Sequence, residues 1–184
     1  MRVLAILASS AALLVAGASP ALALSGQCFW DQLEPPTRSA LLEGYQRLGP
    51  QVLDRVPIDQ RELEAIDARC AAQGAPGELK DRLLTAVVLE HGSAVFLKGW
   101  LRWDDAAIQG AWSRLGPEEI GLLRRQAQGA LAGGEPADVD LSRAVGAFLG
   151  RDPSREDPGL LDQVRGYLTS RAMREAIERR QPQG

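Results

Sequence analysis

After residue 34, apolar side chains recur at three- and four-residue spacing along nearly the whole chain, the period of helices with one buried face. Leu41, Leu42, Tyr45 and Leu48 predict a helix beginning near Thr37 or Ser39, behind Pro35 and Pro36, and stopped by Gly49-Pro50. A short helical turn follows over residues 51–55. Asp59 and Glu62 have the spacing of a capping box and open a helix whose inner face is Leu63, Ile66 and Cys70.

From about residue 78 to 103 the apolar positions occupy almost every side of the helical wheel, among them Leu83, Val87, Val88, Val95, Leu97 and Leu101. A helix apolar all round belongs at the centre of a bundle, with Gly92-Ser93 as the place for a bend. Asp104 or Asp105 caps a helix carrying Ile108, Trp112 and Leu115. Pro117 with Glu118-Glu119 opens another, which ends at Gly133-Gly134. A further helix runs from about Asp140 to Leu149. The last begins at Asp157-Pro158 with a stripe of Leu161, Val164, Leu168 and Ile177. Its arginines at 171, 174, 179 and 180 suit the negative end of the helix dipole. With three threonines and no β-branched alternating run, strands have little to be made from. Tyr45–Pro50 and Trp112–Pro117 echo one another as aromatic, polar, Arg, Leu, Gly, Pro, a pattern common enough where one helix ends and another starts.

The opening residues follow another logic. Met1-Arg2 precedes an apolar run from Val3 to Ala18 interrupted only by Ser9, Ser10 and Gly17, then Pro20 and Ala21-Leu22-Ala23. A basic start, a short apolar middle and an A-x-A end predict a secretory signal peptide over residues 1–23, cleaved after Ala23. The run is shorter than the roughly 20 residues a spanning helix requires. Gln27 separates Gly26 from Cys28, so a lipidated cysteine fits poorly. Cys70 is the only other cysteine, and an even pair in an exported chain predicts a Cys28–Cys70 disulfide.

Removing the leader leaves 161 residues, enough for a single all-α domain over 24–184. Its 20 basic side chains against 24 acidic ones exclude a nucleic-acid stripe and a polybasic membrane surface. The chain has no asparagine, and its only lysines are Lys80 and Lys98 against nineteen arginines, a bias that suits a GC-rich bacterial genome. The periplasm is the expected home, with no stable membrane insertion after cleavage.

Little catalytic chemistry is available. His91 is the only histidine, which excludes a multi-histidine zinc site, and no Gly-x-Ser-x-Gly elbow, phosphate loop or dinucleotide fingerprint occurs. Asp138-Val139-Asp140 lacks the further ligands of a calcium loop, so neither metal nor cofactor is expected. Two weak candidates remain. Glu90-His91 lies in an apolar stretch where a carboxyl group could serve as a general acid, the arrangement of a lysozyme-like glycosidase; the motifs of lytic transglycosylases are absent, and pairing with an arginine is the plainer role. Trp100, Trp103 and Trp112 could gather into a binding surface for sugar or peptide, although indoles more often fill a core.

The sequence thus predicts a single-domain orthogonal helical bundle of six or seven helices around a central apolar helix, with one disulfide. Its role is expected to be non-enzymatic, an interaction or ligand-binding function toward an envelope protein or cell-wall component. The alternatives are a cell-wall glycosidase using Glu90 and a carrier of a small apolar ligand held between the central helix and the tryptophans.

Overall fold

Short polar side chains open two of the helices where their spacing predicts. Asp104 accepts the amide of Ala107 at 2.7 Å, and Asp157 accepts those of Gly159 and Leu160 at 2.7 and 3.3 Å. Each satisfies donors that a helix start leaves without partners. The computed structural model describes residues 24–70, 75–133 and 140–180. Residues 1–23, 71–74, 134–139 and 181–184, and with them the expected signal peptide, lie outside that set.

The described chain is all-helical, with no strand. Its elements are α1 (Gly26–Gln32), α2 (Pro35–Leu48), α3 (Val52–Arg55), α4 (Gln60–Cys70), α5 (Gly77–Leu101), α6 (Asp105–Ser113), α7 (Pro117–Leu131), α8 (Ser142–Leu149) and α9 (Pro158–Arg179). Single 3-10 turns cover Gly49–Gln51 and Pro153–Arg155.

Several local details differ from the sequence expectation. Helix α2 starts at Pro35 itself, because proline tolerates the first helical turn, where its missing amide is no loss. Glu62 does not fold back on its own helix start. It reaches across to α2 and accepts the Glu34 amide at 2.6 Å and the Thr37 hydroxyl at 2.9 Å. The Gly49 and Gly116 echo is not a structural repeat: Gly49 has φ +57°, while Gly116 sits in extended backbone at φ −76° as the cap of α7. Helix α5 continues without a break through Gly92-Ser93. Gly92 is instead the contact point where the ring of Tyr45 lies against bare backbone, with Tyr45 Cδ2 2.6 Å from where a Cβ would stand. Beside it, the Tyr45 hydroxyl meets the buried Ser93 Oγ at 2.7 Å.

The most extensive helix contact is between α5 and α9, and both pass through two apolar clusters. One gathers Ile108, Leu123, Phe148 and Val164 from α6 to α9. The other gathers Phe29, Leu41, Ile66 and Val87 from α1, α2, α4 and α5. Leu131 and Met173 pack against both. The Cys28–Cys70 disulfide joins α1 to α4, with Cys70 buried as its helical position implied. Among the described residues no helix is long and apolar enough to cross a membrane.

Candidate functional site

Glu90 and His91 lie in the middle of α5, and three other helices converge on them. Helix α9 carries Tyr167, Arg171, Arg174 and Glu178, spaced four, three and four apart, which places them along one helix face. Arg174 grips Glu90 with two bonds, Nε to Oε2 at 2.6 Å and Nη2 to Oε1 at 3.2 Å. Its remaining arm bonds Glu178 at 3.0 Å, and Glu178 in turn accepts the backbone amide of Gly26 at 2.8 Å. Gly26 has no room for a side chain, since an added methyl would collide with Arg174 and with Val87, 2.7 Å away. Burial opposes the charge on Arg174, but the bonds and charges of Glu90 and Glu178 outweigh it and hold the guanidinium above its ordinary value.

His91 is held by stacking. The indole of Trp30, from α1, lies over its ring at a centroid distance of 3.9 Å. Burial, then the positive charges of Arg174 and Lys98, lower the imidazole to about 4, against smaller opposing effects of Asp31 and Asp105. It is therefore neutral near pH 7, one ring nitrogen a donor and the other an acceptor. Lys98 itself is paired to Asp105, at the start of α6, at 2.6 Å.

These groups surround a cleft of about 250 Å³ between α1, α5, α6 and α9. Ala94 and Ile108 give it an apolar wall, while His91, Gln109 and Tyr167 give it polar ones. Tyr167 accepts Nη1 of the buried Arg171 at 2.7 Å, and burial raises its phenol above the ordinary value. The charged stripe on α9 was open to discovery from its spacing. Arg171 and Arg174, which their place near the helix end suits to the dipole, both turn inward, whereas Arg179 pairs along the surface with Glu175.

The three candidate tryptophans do not form one surface. Trp100 is 45% exposed, tilted against Phe96 at 5.3 Å. Trp103, just past the end of α5, packs on Phe148 at 5.8 Å, and Trp112 lies 4.4 Å beneath the guanidinium of Arg171. The two inner indoles are thus taken up by contacts with Phe148 and Arg171, and Phe148 in turn packs on Tyr167 at 5.5 Å. A second concavity, of about 270 Å³, lies between α5 and α9, where Leu89 and Met173 line an open apolar groove. Among the described residues no group of acidic, histidine or cysteine side chains is arranged to hold a metal ion. No family model, curated protein or solved structure matches the chain.

Proposed function

We propose that the protein is an exported cell-envelope component that acts by binding a partner or ligand rather than by catalysis. The observation that carries this reading is the pair of hydrogen bonds that Arg174 donates to the two carboxylate oxygens of Glu90. A glycosidase acid must offer a proton to the leaving oxygen of a sugar. Here both carboxylate oxygens face a guanidinium that is itself tied to Glu178, so Glu90 serves as a joint between α5 and α9. Export is supported by the leader pattern in the sequence. The disulfide agrees with an oxidising compartment.

The apolar-carrier alternative, expected between the central helix and the tryptophans, would instead find its apolar surface in the open groove at Leu89 and Met173, of about 270 Å³. The cleft beside His91 is of similar size, about 250 Å³, and adds His91, Gln109 and Tyr167 as polar groups that can orient a ligand, so binding there has the stronger support.

The test uses the oxidised mature protein with purified peptidoglycan. Wild type and Glu90→Gln are expected to release no soluble muropeptides, and the intact mass from the native host should begin at Leu24. Muropeptide release that disappears in Glu90→Gln would overturn the proposal in favour of the glycosidase.

A further inference from the structure

The charges around the cleft beside His91 are already matched to one another. Arg174 holds Glu90 and Glu178, the Gly26 amide takes the other oxygen of Glu178, and Lys98 holds Asp105. An entering anion would face those three carboxylates, and an entering cation would face Arg174 and Lys98. Neither finds an unpaired counter-charge, and breaking one of the existing pairs to supply it is costly.

The groups that remain open are neutral. Among the described residues, neither ring nitrogen of His91 and no side-chain atom of Gln109 has a hydrogen-bond partner. The Tyr167 hydroxyl, accepting from Arg171, keeps its own proton free to donate. An imidazole that is uncharged at neutral pH offers one donor and one acceptor, and a carboxamide offers both kinds as well. Ala94, one turn along α5 from His91, and Ile108, beside Gln109 on α6, add apolar surface to the lining. The lining thus combines a small apolar surface with uncharged donors and acceptors.

A sugar ring has the same make-up, with C–H groups on its face and hydroxyls around its rim. An acetamido substituent adds one amide donor and one carbonyl acceptor. At about 250 Å³ the cleft has room for a single ring and not for a chain. We infer that this cleft binds a neutral ligand bearing hydroxyl and amide groups, of the size of one sugar ring, with an N-acetylated amino sugar as the fitting class. The inference rests on the binding role proposed above and names its ligand.

The probe is N-acetylglucosamine, titrated into the oxidised protein while the side-chain NMR signals of His91 and Gln109 are followed. Both should shift along a saturable curve with a dissociation constant on the order of 1 mM. Glucosamine in its ammonium form and glucuronate carry charge on the same ring and should bind at least about tenfold more weakly. Ala94→Leu, which fills the cleft, should abolish the shifts. Gln109→Ala, on an exposed helix surface where folding is undisturbed, should weaken binding about tenfold.

Unmoved His91 and Gln109 signals in wild type would overturn the inference, as would a charged sugar binding as tightly as the neutral one. The two proposals fail separately. An absent sugar signal, with no muropeptide release, removes the ligand class and leaves the non-catalytic role. Sugar binding accompanied by Glu90-dependent hydrolysis removes that role and leaves the ligand class.

Discussion

Trp30 and His91 stack face to face, with planes 7° apart and centroids at 3.9 Å. The contact fixes α1 on α5 two residues beyond the disulfide at Cys28 and four beyond the amide of Gly26, which bonds Glu178. Three unlike attachments, aromatic, covalent and hydrogen-bonded, thus fall within five residues of chain.

The burial of His91, beside the charges of Arg174 and Lys98, makes stability depend on acidity. Unfolded, His91 takes its proton at 6.5; folded, it does so only at about 4. Between those values the unfolded chain binds more protons, so the stabilisation is complete above pH 6.5, declines as the pH falls, and is lost below 4. The difference amounts to about 3 kcal/mol. Urea unfolding across this range should reveal it, and His91→Phe, which keeps a flat ring against Trp30, should lack that component. Equal pH dependence in the two proteins would contradict the buried neutral imidazole.

Glu90→Gln should cost about 2 kcal/mol, because it replaces a charged hydrogen-bonded pair with a neutral one. Arg174→Met leaves Glu90 and Glu178 without their cation and should cost more. In the double variant the losses should fall short of their sum by about 1–3 kcal/mol. Strict additivity in denaturant midpoints would mean that the pair contributes nothing.

Replacing both cysteines with serine should lower stability by about 4 kcal/mol on the chain-entropy account, given the 42-residue separation. Chemical denaturation of the oxidised protein and the double variant measures this directly.

Two glycines of α5 should respond in opposite ways to alanine. At Gly92 the new methyl meets the Tyr45 ring, and overpacking of this kind costs about 1–3 kcal/mol. At Gly99 no atom lies within 4 Å, so alanine should stabilise the helix by up to about 1 kcal/mol. Thermal unfolding of the two variants should move in opposite directions.

What the sequence made legible was local. Asp104, Pro117 and Asp157-Pro158 mark helix starts because a cap acts on amides only a few residues away. The apolar run of α5 likewise announces its central place. Helix α1 escaped the sequence reading because its seven residues span too few turns for periodicity to register. Its first amide is held by Glu178, 152 residues further on. Glu62 carried a local signature and served a distant helix. At Glu90 the sequence left two roles open, and the guanidinium that distinguishes them is 84 residues away. The tryptophans were ambiguous for a similar reason: their spacing sets directions on α5 and α6, but α8 and α9 determine which ring is covered.

The bond from Gly26 to Glu178 ties almost the first described residue to almost the last. A chain that emerges from its N-terminus can close the ring between Cys28 and Cys70 early, long before Arg174 and Glu178 have been made. The cleft cannot close until α9 has been made. A truncated chain ending before α9 would keep its staple and the Trp30–His91 stack yet leave Glu90 without its cation, an easy mark for quality-control proteases.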